Sequence, residues 1–185
     1  MNRREKELLN DNQIIGKIQQ GEQHYFRILY DKYFDYAVRV STIILRNQQS
    51  LAKDVVQEAF IRVYRNLHQF DSDREFKPWF YTILLNECKR ISEKNNYTVA
   101  ADEQMLEPLH QDRHSFIEYE SLYIAIQQLD EHNRIPVILK YMHDMKDQEI
   151  ADVLQENVNT IKSRLYKARI KLKNLLEREF GGAVQ

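Results

Sequence analysis

Chain breakers are nearly absent from this sequence. It has 185 residues but only four glycines and three prolines. Sheet proteins turn often and use Gly, Pro and Asn to do so, which excludes a sandwich or barrel and predicts helices throughout. Apolar residues make up 43% of the chain, enough for one large or two small cores. Their spacing agrees. Val56, Phe60, Val63 and Leu67 recur at intervals of four, three and four, one stripe of an amphipathic helix. Phe26, Leu29, Tyr30, Tyr33 and Phe34 form an earlier stripe. A third helix is predicted from about Trp79 to Glu93, with Pro78 in its first turn, after a polar loop over Phe70–Arg74.

Charge divides the chain further. The total is −1, which carries no mark of a nucleic-acid binder, but it is a cancellation. Residues 13–95 carry +3, residues 96–131 carry −7, and residues 132–180 carry +3. The stretch around 95–114 has weak periodicity and contains Pro108, so it reads as an acidic flexible linker. The expected organisation is all-α: an N-terminal extension (1–12), a helical domain (13–95), a linker (96–114) and a second helical domain (115–180). Four helices are predicted in the second domain, near 115–129, 133–143, 147–155 and 159–178.

Several classes fall away. The single cysteine, Cys88, forbids an internal disulfide framework and any multi-cysteine zinc site; it reads as a small buried or half-buried apolar residue. The charged start, Met1–Asn12, lacks the apolar core of a secretion signal. The longest apolar stretch, Trp79–Leu85, is far short of the ~20 residues a membrane helix needs. A soluble, cytoplasmic protein without membrane insertion is expected. The histidines His24, His68, His110, His114, His132 and His143 are scattered, with no HExxH, phosphate-binding glycine loop or paired-carboxylate motif. No enzyme activity, metal or cofactor is expected.

Two constellations remain. Asp147–Lys167 has the pattern of a helix-turn-helix, with Ile150, Ala151 and Leu154 as the inner face of a short helix. Val158, Ile161 and Leu165 form the inner face of the next, capped by Asn159 or Thr160. The turn position that often holds glycine is Gln155, where a positive φ would cost about 1 kcal/mol. From Val158 to Leu176 there are six basic residues and no acid. A lone basic helix is equally a solvated face, but coupling to the short helix before it favours the DNA major groove. In the first domain, Asp54, Gln57, Glu58 and Arg62 make a polar face opposite the apolar stripe. Phe76–Tyr81 packs four aromatics into six residues, followed by Asn86, Lys89, Arg90 and Lys94. Most of those aromatics belong to a core; one or two at the surface, beside cations, suit an unpaired strand.

The string Ala52-Lys53-Asp54-Val55-Val56-Gln57-Glu58-Ala59-Phe60-Ile61-Arg62-Val63-Tyr64, then Phe70-Asp71, Phe76–Tyr81 and Asn86, resembles the second conserved region of bacterial RNA polymerase sigma factors. It is closest to the extracytoplasmic-function (ECF) family of the sigma-70 superfamily. Asn159–Arg169 is similar to that family's fourth region, whose pattern is GTVKSRLxRAR. The resemblance implies an alternative sigma factor, often serving stress responses, that binds core RNA polymerase through the β′ clamp and the β flap. It implies that Asp54, Gln57, Glu58 and Arg62 dock on polymerase. Phe76, Trp79, Tyr81, Asn86, Lys89 and Arg90 would melt and read the −10 element. Asn159, Thr160, Lys162, Ser163, Arg164, Tyr166 and Lys167 would read the −35 element. An anti-sigma factor is implied as a further partner, and the acidic linker would thread the polymerase cleft.

Three positions depart from the family pattern. Lys167 stands where many relatives have Arg and lacks the planar fork that Arg offers guanine. Asn159 replaces a glycine, and Arg90 stands where an acid is often found. The rival reading is a free-standing helix-turn-helix regulator with residues 13–95 as an effector or dimerisation domain. The polar Asp54/Gln57/Glu58 face argues against it, since a dimer surface is more apolar at its centre.

Overall fold

The computed structural model describes residues 9–96 and 122–180, and no strand occurs among them. The chain divides into two units, Met1–Val99 and Ala100–Gln185. The expected all-α architecture with a C-terminal helix-turn-helix is present. Most of the acidic linker, with His110, His114 and the expected helix start near 115, lies outside the described residues.

The first unit contains α1 (Asp11–Gln19), α2 (Phe26–Leu45), α3 (Ala52–Asn66) and α4 (Phe76–Asn96), with 3-10 segments between them, the one over Arg46–Leu51 kinked at Gln48. The expected stripe is wholly inward: Val56, Phe60 and Val63 on α3 and Leu67 in the turn that follows it are all buried. Each such side chain contributes roughly 1.5–3 kcal/mol by leaving water. On α2, Leu29 and Tyr33 are buried, while Phe26, Tyr30 and Phe34 sit half-buried at the edge. α4 begins two residues before Pro78, so the proline occupies the first turn, where its missing N–H costs nothing.

Aromatic rings dominate this core. Phe80 is fully buried and lies 5.1 Å from Phe60, 5.2 Å from Tyr33 and 5.9 Å from Phe76, centroid to centroid. These spacings fall in the range of favourable tilted and offset ring pairs. Cys88 is buried as expected, with its Sγ 3.6 Å from the Ser41 Oγ on α2. Burial pushes its thiol up to about 11. It is therefore protonated and unreactive at neutral pH.

The helix α1 has no counterpart in the apolar spacing. It is set instead by a capping box. Asn10 Oδ1 accepts from the Gln13 N–H at 2.9 Å, and Gln13 Oε1 accepts from the Asn10 N–H at 3.0 Å. Ile14 and Ile15 are buried beneath it. Its polar side holds two neighbours. Asp11 accepts from Lys32 at 2.6 Å and from the Tyr33 hydroxyl at 2.5 Å. Burial and that carboxylate both push the Tyr33 hydroxyl well above its ordinary range. Asn12 donates to the carbonyls of Ser72 (2.7 Å) and Arg74 (3.2 Å). Gln19 donates to those of Leu67 and Phe70, each at 3.0 Å. The loop between α3 and α4 is thus held by side chains of α1.

The second unit contains a helical segment at 122–127, then α5 (Glu131–Tyr141), α6 (Asp147–Leu154) and α7 (Val158–Phe180). Asp130 caps α5 by accepting from the Asn133 N–H at 3.0 Å. The Asn133 amide bound to the same carboxylate holds its pKa below the ordinary range. Lys140 on α5 meets Asp147, in the first turn of α6, at 2.8 Å. Buried residues on α6 are Ile150, Ala151 and Val153; Leu154, expected inward, is only half-buried. α6 packs against both α5 and α7, which moves its buried arc. On α7 the inner row is Ile161, Leu165, Ala168 and Leu172, with Val158 half-buried at its start.

The turn between α6 and α7 is left-handed at Gln155 itself, with φ 54° and ψ 44°. The Glu156 N–H then reaches back to the Ala151 carbonyl at 2.9 Å, closing the helix end. The cap of α7 is Asn157, whose Oδ1 accepts from the Asn159 N–H at 2.8 Å. Asn159 and Thr160, expected as caps, lie inside the first turn. They follow the cap because α7 starts at Val158. A left-handed non-glycine residue is strained, and glycine relieves that strain at some entropic cost. Gln155→Gly is therefore expected to stabilise the second unit by about 0.5 kcal/mol, read as a higher urea midpoint at unchanged m-value. A lowered midpoint would show that the turn needs the glutamine side chain.

Candidate nucleic-acid interface

The second helix of the helix-turn-helix is α7. A residue on it advances by 100°, so Asn159, Lys162, Ser163, Tyr166 and Ile170 share one outward arc. All five are exposed, Tyr166 at 61% and Ile170 at 45%. Lys167 is exposed on the flank of that arc and Thr160 is half-buried beside it. Arg164 lies further round. It is only 22% exposed and pairs with Glu156 at 2.8 Å. That pair ties the turn to the helix and engages one side of the guanidinium expected to read the −35 element. Lys167 and Lys171 flank the arc on one side and Arg169 on the other, while Lys173 continues it, all exposed. A helix with a polar first turn and cationic sides matches what base edges and phosphates require.

The first unit presents two surfaces. On α3, Asp54, Gln57 and Arg62 are exposed and Glu58 is half-buried, all away from the buried stripe. Ile61 and Tyr64 are also exposed on this helix, at 42% and 43%. The face is therefore mixed, acidic at its N-terminal end and partly apolar further along. On α4, Asn86, Lys89 and Arg90 are exposed, and Trp79 is half-buried against Phe70 at 4.9 Å. Phe76 and Tyr81 are different. They are 1% and 0% exposed and belong to the core. A ring with no exposed surface cannot stack on a base, so of the aromatics expected near the strand only Trp79 has surface to offer.

One residue of this region was invisible to the pattern. Glu87, between Asn86 and Cys88, is buried. Its Oε1 meets the Arg62 Nε on α3, and its Oε2 lies 2.8 Å from both Nε and Nη2 of Arg90. A lone glutamate on a helix reads as solvated, and its partner Arg62 is 25 positions away. Only the α3–α4 packing brings them together. Among the described residues no group of three or more His, Cys, Asp or Glu could hold a metal ion, and no helix is long and apolar enough to cross a membrane.

A buried aromatic bundle with polar and cationic outer faces, paired with a cationic helix-turn-helix, defines a DNA-binding protein of transcription. Residues 28–96 match the model of Sigma-70 region 2 and residues 119–172 that of Sigma-70, region 4, together about two thirds of the chain. The protein belongs to the ECF family of sigma-70 sigma factors, the regulatory proteins that direct RNA polymerase to promoters. The RNA polymerase sigma-H factor of Pseudomonas aeruginosa is 29% identical, over 86% of this chain and 90% of its own length. The ECF RNA polymerase sigma-E factor of Escherichia coli K12 is 28% identical, over 92% of this chain and 96% of its own. Two solved structures share the fold. CnrH in complex with the cytosolic domain of CnrY has a TM-score of 0.70 at 23% identity, over 91% of this chain and 97% of that one. The sigma factor RpoE of Bartonella quintana, in complex with the anti-sigma factor NepR, has a TM-score of 0.65 at 23% identity, over 80% and 96%.

Proposed function

We propose that residues 13–95 and 115–180 act as separate promoter-reading modules of this sigma factor, each with its own polymerase contact. In the first, Asp54, Gln57 and Glu58 dock on the β′ clamp, while Trp79, Asn86, Lys89 and Arg90 face the −10 strand. In the second, Asn159, Lys162, Ser163, Tyr166 and Lys167 read the −35 duplex, and the β flap takes the same module. The protein works in the cytoplasm beside RNA polymerase and catalyses nothing itself. The sigma factor RpoE of Bartonella quintana forms a complex with the anti-sigma factor NepR, and an anti-sigma factor is the expected third partner here.

The observation that carries the reading is the single outward arc on α7, from Asn159 to Ile170, with cations on both sides. It is tested with core polymerase and linear templates in which both promoter hexamers are randomised. Productive templates are identified by sequencing their transcripts. Lys167→Ala should change base preference at one −35 position by about tenfold, as loss of a groove contact does. The −10 preference and holoenzyme assembly should stay as they were. An unchanged −35 preference would remove Lys167 from the site.

A further inference from the structure

We propose that Glu87 is a positioning residue for −10 recognition, holding Arg90 on α4 in place through a carboxylate shared with Arg62 on α3. The inference rests on the reading of Arg90 as a −10 contact. The Glu87 side chain is 3% exposed, while Arg62 and Arg90 are 48% and 44% exposed. A buried carboxylate is costly unless its oxygens are paired. Here each oxygen has its own guanidinium: Oε1 takes Arg62, and Oε2 takes Arg90 through both Nε and Nη2 at 2.8 Å. A guanidinium is planar and its donors leave in fixed directions. With Nε and Nη2 committed to Glu87, the plane of the half-exposed Arg90 guanidinium is fixed, and three of its five N–H donors are left for other partners.

The two arginines also stand on different surfaces. Arg62 lies on the face that carries Asp54, Gln57 and Glu58, whereas Arg90 lies beside Asn86 and Lys89. One buried oxygen pair therefore links the polymerase-facing helix to the strand-facing helix. Were Arg90 drawn wholly to a phosphate, Oε2 would be left buried and unpaired. Glu87 thus restricts Arg90 to contacts that its outer donors reach without leaving, which makes the contact selective for geometry and weak as a general phosphate grip.

The test uses the full-length protein with core polymerase and the same randomised promoter templates. Glu87→Gln keeps the shape but offers one acceptor and no charge. It should alter base preference within the −10 hexamer by about tenfold, at the position that Arg90→Gln alters, with −35 preference unchanged. Combined with Arg90→Gln it should add nothing, because Glu87 acts through Arg90. Purely structural damage would instead lower transcription from all templates alike. Should Glu87→Gln fail to fold, Glu87→Met fills the site without a charge and is read in its place. If Arg90→Gln shifts the −10 preference and neither Glu87 variant does, the positioning role is overturned while the −10 reading of α4 stands. If Arg90→Gln changes nothing, the reading of Arg90 itself fails and takes the proposal with it.

Discussion

Truncating Phe80 to alanine should cost the first unit about 3–5 kcal/mol, the range for removing a large ring from a packed core. Phe80 has no exposed surface and meets rings from α2, α3 and its own helix: Tyr33 at 5.2 Å, Phe60 at 5.1 Å, Phe76 at 5.9 Å and Tyr81 at 5.2 Å. The hole would sit where three helices meet, so no single side chain can swing in to fill it. For a domain of this size the loss corresponds to about 12 °C or more in melting temperature. The measurement is convenient because Trp79 is the only tryptophan of the chain and lies in this unit against Phe70 and Phe76. Its fluorescence reports the first unit and not the second. A loss below about 1 kcal/mol would mean the bundle can close over the gap, and the core is softer than its ring contacts imply.

The paired substitution of Asp54→Ala with Glu58→Ala should weaken holoenzyme formation roughly thirtyfold or more, as expected when charged partners at an interface are removed. Asp54 is exposed in the first turn of α3, and Glu58 lies one turn on. An acid in the first turn also favours the helix, so the double variant should lose at most about 1 kcal/mol of stability. Folding and polymerase affinity are therefore separable. Titration of core polymerase with a fluorescently labelled chain reads the affinity, and Trp79 fluorescence reads the fold. The −35 duplex binding proposed for the second unit should be unaffected by the variant. Equal loss of polymerase and duplex binding would show that the acids support the fold and are not the docking surface.

How far the sequence led depends on which force set each feature. The α3 stripe and the inner row of α7 were legible because burial imposes a 3.6-residue period. Cys88 was legible from its small apolar chemistry. The helix α1 was missed, although Asn10 and Gln13 were there to be read as a capping pair. Periodicity alone gave nine residues too little to work with. Phe76 and Tyr81 were placed near the strand because family position says nothing about which way a side chain turns. Leu154 and Val153 differ by one residue, and only the presence of helices on both sides of α6 decides between them. Arg164 and Glu87 were out of reach for the same reason: a charge is read as solvated until its partner is found, and the partners come from a turn and from another helix.

The hydrogen bonds from α1 bear on how such proteins can be recombined. The region 2 family match begins at residue 28, downstream of the whole of α1. A chimera that exchanged only the matched segment would leave Asn12 and Gln19 of one parent facing the loop of another. The carbonyls of Leu67, Phe70, Ser72 and Arg74 would lose the donors that hold them. Modular exchange of the −10 reader should therefore cut upstream of Asn10, so that the loop and the helix that holds it travel as one part.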